Sequence, residues 1–547
     1  MPAMIPNRRR FLMRAAMGAA AMILNPQRVA ALVAAVESKQ DCPMVVIGGG
    51  LGGLCCGTFL ARHGFPVTVV EQQSIPGGYA TAFERDGGRF RFEVSLHGTC
   101  LHRNAGARIL EGLGVLDRLE LVRLPETFCT QLNGQAITVP QQDPEAYIRL
   151  LSKQMPAEAA GIRGFVQEML SVTGEVDRLH RRQGRFFKLL FPLQYPYLWR
   201  IRSQTLAQMM DRHVKTPDVK RLLAAFWCYY GLPPSQLSAF YYAVATGDYL
   251  KNGSYYVKAR SQALSDAMAD ALQAAGGQMR CESPVKRITL SQGRVSGVGL
   301  SDGSVLPARI VVSNASARST FLELLPVGAT PLNYLKRIQG LKPSIASFIV
   351  WLGLNQEIAQ QVPAYAIHVV GESGPEADYE ACLRGDIQKG PFSVTVYDRL
   401  FPGYSARGTS TVMLLFLCGY KPWQAFEADY WAGRKVAYNR QKAQWARSLI
   451  QRAQQAVIPG LAEMIAVQEV ATPLTNWRYT GNCRGAIYGF QQSMDNTYMN
   501  RLDNRTPVPG LFLAGAWSSP GGGIVGALQS GERAFHQIIE DLGRHRI

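Results

Sequence analysis

Six consecutive residues, Gly48-Gly49-Gly50-Leu51-Gly52-Gly53, have the composition of a phosphate cradle. Only glycine lets a backbone turn tightly enough to press its N–H groups against a pyrophosphate. Gly48 fits the tight turn and Gly50 the close approach of the backbone. Gly52 belongs to the same cradle, and Gly53 permits a helix to sit close on the sheet. Eighteen residues beyond Gly53, Glu71 is placed to accept hydrogen bonds from an adenosine ribose. These residues need a strand, a helix and a second strand to position them. Met44-Val45-Val46-Ile47 supplies an apolar buried strand, Leu54 to His63 the helix, and Val67-Thr68-Val69-Val70 the strand that ends at the acid. Strand, turn, helix, strand and acid fall in register within about thirty residues, as a dinucleotide site requires.

That fingerprint serves NAD and FAD alike, and the next segment separates them. Ser74-Ile75-Pro76-Gly77-Gly78-Tyr79-Ala80 carries a glycine pair that resembles the second phosphate-contacting turn of large FAD-dependent oxidases and desaturases. Near the other end, Pro509-Gly510-Leu511-Phe512-Leu513-Ala514-Gly515 reads as a strand. Pro520-Gly521-Gly522-Gly523-Ile524-Val525-Gly526-Ala527 then opens a helix. In such enzymes the positive end of that helix faces the flavin ring, which makes Gly515, Gly522, Gly523, Ile524 and Val525 candidate cofactor contacts.

With these pieces in place, the chain resembles the phytoene desaturase, carotenoid isomerase and retinol saturase group from about residue 44 to about 540. Phe92-Glu93-Val94-Ser95-Leu96-His97 is similar to that group's F-D-x-G-x-H segment, with Glu for Asp and Ser for Gly. Tyr230-Gly231-Leu232-Pro233-Pro234 resembles its mid-chain turn, and Ala308 to Ala315 the strand returning to the FAD domain. Thr472-Pro473-Leu474-Thr475, Arg478-Tyr479-Thr480-Gly481 and Tyr488-Gly489 resemble its late signature. The resemblance implies an α/β fold: a discontinuous Rossmann-like FAD-binding domain with an inserted mixed-sheet substrate domain and a helical lid. It assigns 41–115, 256–330 and 471–547 to the FAD domain, and 116–255 and 331–470 to the substrate domain and lid. It also places His97, Arg478 and Tyr479 near the ring as acid or base candidates. Two departures stand out. Ala259-Arg260-Ser261 replaces the group's Gly-Gly-Ser, and Ala516 stands where a polar residue is common.

Bulk properties set the outer bounds. At 547 residues, several domains are expected. The net charge of +18 favours polyanions. No nucleic-acid-binding spacing accompanies it, so an anionic membrane surface is the expected partner. Ten scattered cysteines form no C-x-x-C pair, and the eight histidines form no ligand set, so no metal is expected. Residues 1–40 read as a targeting segment. Arg8-Arg9-Arg10-Phe11-Leu12 resembles the bacterial twin-arginine motif and precedes an apolar run of small residues. The expected location is periplasmic or membrane-associated, or the cytoplasmic face of the membrane if the signal does not function. Between Arg178 and Arg202, basic residues alternate with aromatics and leucines, the composition of an interfacial anchor or of a lid helix.

The expected function is redox or flavin-assisted isomerisation at carbon–carbon bonds of a hydrophobic isoprenoid, carotenoid-like or retinoid-like lipid. One dinucleotide fold leaves no separate NADPH module, which favours desaturation with quinone or oxygen as electron acceptor. Two alternatives stay open: a flavin amine or amino-acid oxidase, and a non-catalytic FAD-bound partner of an exported complex.

Overall fold

The computed structural model describes residues 26–544 apart from 35, 37–38, 96, 133–134, 182–186, 372 and 498–499. The arginines at positions 8–10 therefore lie outside the described residues. The folded body takes in the helix Pro26–Ala34, inside the stretch read as a targeting segment. Its Val29 and Val33 are buried, and the helix packs on the helix Ile524–Gly543.

Five short parallel strands form the nucleotide sheet in the spatial order Gln278–Arg280, Val67–Val70, Met44–Ile47, Ile310–Ser313, Leu511–Leu513. Numbered along the chain this is 3-2-1-4-5, the doubly wound order, and the crevice for a ligand lies where the order reverses, beside Met44–Ile47. Apolar runs suit these strands because both faces are covered. Met44 and Val46 face the main core, whereas Val45 and Ile47 face a second core. That second core also holds Ile288, Val295 and Val298 from an antiparallel meander of Val285–Ser291, Arg294–Leu300 and Val305–Pro307.

A second, seven-stranded sheet runs in the order Ile465–Ala471, Ala346–Leu354, Ser410–Cys418, Phe392–Val396, Ala366–Val369, Phe128–Leu132, Gln135–Val139. Its pairs are antiparallel except Ala366–Val369 with Phe128–Leu132, which is parallel. The two inserted stretches of the chain thus meet inside one sheet. Helices lie between Pro144 and Asn252, the longest being Ala159–Arg181 and Ala239–Asn252, which pack on each other, and the Phe128 ring of the sheet meets Phe226 and Tyr229 from this stretch. This is the mixed α/β architecture expected for a Rossmann-like FAD domain carrying a substrate domain.

Among the described residues no helix is long and apolar enough to cross a membrane. Within the basic–aromatic stretch, the helices Phe187–Gln194 and Pro196–Ile201 turn Phe191, Tyr195 and Leu198 inward. The buried Glu175 carboxylate accepts hydrogen bonds from the Tyr197 and Leu198 N–H groups and so caps the second of these helices. Leu190 and Leu193 point outward, with Leu193 79% exposed.

Candidate active site

The glycine turn lies at the crevice. Gly48 has φ +94°, and the helix Leu51–Arg62 begins directly behind it with its N-terminus free to meet a phosphate. A Cβ on Gly52 would stand 2.6 Å from the Gly515 Cα, and one on Gly53 would overlap the Gly48 carbonyl. The two glycine-rich ends of the chain therefore touch through bare backbone. Glu71 is buried, and its carboxylate accepts hydrogen bonds from Gly49 N (2.8 Å) and Gln73 N (2.9 Å). Burial raises its pKa, and those backbone N–H groups oppose the rise.

A single cavity of ≈ 1180 Å3 collects nearly all the candidate residues. Gly48, Gly50, Gly52, Glu71, Gly77, Gly78, His97, Arg478, Tyr479, Gly515, Gly522, Gly523, Ile524 and Val525 all line it. Gly53 does not, because it lies behind the turn as a packing residue. A typical small-molecule site spans roughly 300–1,000 Å3, so this cavity has room for more than one small ligand.

Sequence reasoning missed Asn314. It follows the strand Ile310–Ser313, lines the cavity and donates from Nδ2 to the Gly48 carbonyl at 3.3 Å. A Cβ on Gly50 would fall 2.9 Å from its Nδ2, and one on Gly52 2.8 Å from its Oδ1. One amide thus buttresses both glycine-rich turns. Its signal in the sequence was only an asparagine at the end of a buried strand.

Beyond the glycines, the cavity walls become aromatic. Tyr229, Tyr230, Phe240, Tyr241, Tyr249 and Tyr488 line it. Burial raises the pKa of every phenol in this set, so each stays neutral near pH 7. His97 joins this wall. Its Nδ1 lies 3.1 Å from Thr395 Oγ1, and burial lowers its pKa to about 4, which keeps the imidazole neutral.

Glu93, from the same segment as His97, is buried and holds a neighbouring turn. It accepts hydrogen bonds from Ser261 N (2.9 Å), Ser261 Oγ (2.5 Å) and the Tyr256 hydroxyl (3.1 Å). The unusual Arg260 beside Ser261 does not line the cavity. It stacks on the Tyr404 ring and donates to the Tyr404 carbonyl.

Arg478 and Tyr479 occupy a different place from His97. Both side chains are exposed, with the guanidinium 5.7 Å from the Tyr479 ring centroid. The Tyr479 carbonyl accepts hydrogen bonds from the side chains of Gln72 and Gln73, the residues that follow Glu71. They form a rim beside the nucleotide end, while His97 lies with the half-buried tyrosines of the aromatic wall.

These residues fit FAD: a helix N-terminus for the pyrophosphate, a buried acid for the ribose, and a second helix N-terminus for the ring. Known proteins agree. The chain is 24% identical over 529 residues to a prolycopene isomerase of Daucus carota, covering 92% of this chain and 81% of that one. It is 25% identical over 550 residues to an all-trans-retinol 13,14-reductase of Macaca fascicularis, covering 93% and 88%. Cyclohexylamine oxidase of Brevibacterium oxydans shares the fold, with TM-score 0.58 and 16% identity over 92% of this chain and 99% of that one. The model of the flavin containing amine oxidoreductases matches residues 51–539. This chain belongs to the flavin containing amine oxidoreductase family, as an FAD-dependent oxidoreductase.

Proposed function

We propose that the protein desaturates, isomerises or saturates carbon–carbon bonds of an isoprenoid, carotenoid-like or retinoid-like lipid. The observation that carries this reading is the cluster of aromatic side chains lining the same cavity as the FAD cradle. An alkyl or polyene chain leaves no polar group to pair, so the wall facing it must be neutral and dry. The phenols of Tyr229, Tyr230, Tyr241, Tyr249 and Tyr488 and the neutral imidazole of His97 meet that requirement. The names of the prolycopene isomerase and the retinol reductase point to the same substrate class.

Bound FAD supplies hydride exchange at its ring. The protein's own part is to hold and orient. The tyrosines and Phe240 align the chain beside the ring and exclude water, while His97 presents a neutral nitrogen that takes a proton. Arg478 and Tyr479 close the nucleotide side instead of touching the reacting carbons. The described residues contain one nucleotide sheet of this order, which favours desaturation with quinone or oxygen as acceptor.

Membrane contact and export complete the reading. Leu190 and Leu193 project from a helix flanked by the exposed Arg178 and Arg200 and the half-buried Arg202. Thr173 and Val176 of the preceding long helix reach the cavity. A lipid would pass from the bilayer along this side without crossing water. Arg8-Arg9 would send the folded protein, already loaded with FAD, across the membrane.

Mass spectrometry of lipids extracted from the purified, yellow holoprotein tests the reading. An isoprenoid whose double bonds shift when added back supports it. Peroxide release with amines and none with lipids would overturn it in favour of an amine oxidase. Lipids whose double bonds keep their number and geometry with either oxidised or reduced flavin would point to the non-catalytic alternative.

A further inference from the structure

Arg501 is 3% exposed, yet it lines the cavity. Its Nε donates to the Ser518 carbonyl (3.0 Å), and its Nη1 to the carbonyls of Phe490 (3.2 Å) and Asn496 (3.5 Å). Its Nη2 donates to the Ala516 carbonyl at 2.6 Å. All four acceptors are neutral dipoles, and none cancels the charge. Among the described residues no carboxylate pairs with this guanidinium, and the titratable neighbour that acts on it is the Tyr241 phenol. Burial lowers its pKa to about 10, so it remains a cation at neutral pH.

A buried charge without a counter-ion is costly, and proteins keep one where something else supplies the opposite sign. The position of Arg501 indicates what does so. Ala516 and Ser518 belong to the turn that leads into the helix Ile524–Gly543, and a Cβ on Gly521 would stand 3.3 Å from the Arg501 Cζ. The helix N-terminus and the guanidinium therefore converge on one part of the cavity. The ADP half of FAD belongs at Gly48 to Glu71, so this is the part left for the ring.

We propose that Arg501 is the fixed cation of the flavin site, whose counter-ion is the negative charge that reduction places on the ring's N1–C2=O edge. It would raise the reduction potential of bound FAD and favour withdrawal of hydride from a substrate. A helix dipole of about half a charge acts in the same direction, and a full buried charge adds to it. The assignment depends on FAD alone and not on the identity of the lipid.

Sulfite titration of the FAD-loaded protein, without lipid, tests this. Sulfite adds its sulfur lone pair to oxidised flavin at N5, which leaves the negative charge on the N1–C2=O edge, so its affinity reports the local field. Arg501→Gln should weaken sulfite binding about tenfold, the effect of one strong charge-assisted hydrogen bond. Arg501→Lys keeps the charge and should stay within about threefold of wild type. A glutamine holoprotein that binds sulfite as tightly as wild type overturns the proposal. Equal weakening in both variants also overturns it, because the role is then only to clip the turn. If the glutamine variant does not retain FAD, the lysine variant decides. A loss within threefold supports the proposal, and a tenfold loss overturns it.

Discussion

At the scale of single residues, burial sets the chemistry. His97 has a pKa of about 4 because its charged form loses hydration inside the wall. The unfolded chain binds the proton near the ordinary histidine value of about 6.5. Between those values the unfolded state carries more protons, so stability falls as pH drops from about 6.5 towards 4. His97→Gln should remove this contribution. Its melting temperature should decline less steeply than that of wild type between pH 7 and 5, as followed by differential scanning fluorimetry. The same shift predicts that flavin reduction by substrate shows no inflection from His97 near pH 6.5. An inflection there that vanished in His97→Gln would contradict the buried, neutral imidazole.

Elements explain why some of the site was legible in sequence and some was not. The turns at Gly48–Gly53, Gly77–Gly78 and Gly521–Gly523 were legible because their glycine spacing is a local pattern, although Gly50 and Gly52 meet Asn314 and Gly515 from far along the chain. Asn314 is not local. It matters because strand order places Ile310–Ser313 beside Met44–Ile47, bringing together residues 266 apart in sequence. Arg501 was hidden for another reason: its four carbonyl partners are nearby in sequence but lie in loops, where no helix or strand period marks them. Arg260 shows the reverse case: an unusual residue beside a family motif that faces away from the cavity. Asn314→Leu should disturb both glycine-rich turns while leaving the strand intact. Apparent FAD affinity, read by fluorescence on reconstitution, should fall at least tenfold, as expected when a buried carbonyl loses its donor beside an overpacked glycine contact. The helix Phe187–Gln194 makes a separate prediction. Leu193→Asp lies on an exposed position and should change stability by no more than about 0.5 kcal/mol. It should nonetheless reduce co-sedimentation with anionic lipid vesicles, and unchanged sedimentation would remove this helix from the membrane contact.

At the scale of the whole molecule, the cavity joins parts that the sequence keeps far apart. The parallel sheet, both inserted stretches and the last helix all contribute walls, so a ligand there ties the molecule together. Holoprotein should accordingly unfold at higher temperature than apoprotein. With FAD a hundredfold above its dissociation constant, mass action contributes about 2.7 kcal/mol. Coincident melting of the two forms would show that FAD does not bind at this junction. That strands from far-apart stretches share the nucleotide sheet was legible from motifs at 44–53, 308–315 and 509–527. The parallel pairing of Phe128–Leu132 with Ala366–Val369 was not, because no local pattern encodes a partner more than two hundred residues away.

The contact between Gly52 and Gly515 has a consequence for synthesis. Contacts of such long sequence separation form late, after the loop-closure entropy of the intervening chain has been overcome. On the ribosome, the nucleotide turn emerges early but lacks its opposing backbone until Leu511–Leu513 and the following helix are free of the exit tunnel. A chain cut short before residue 511 lacks Gly515 and the helix start that line the cavity opposite Gly52.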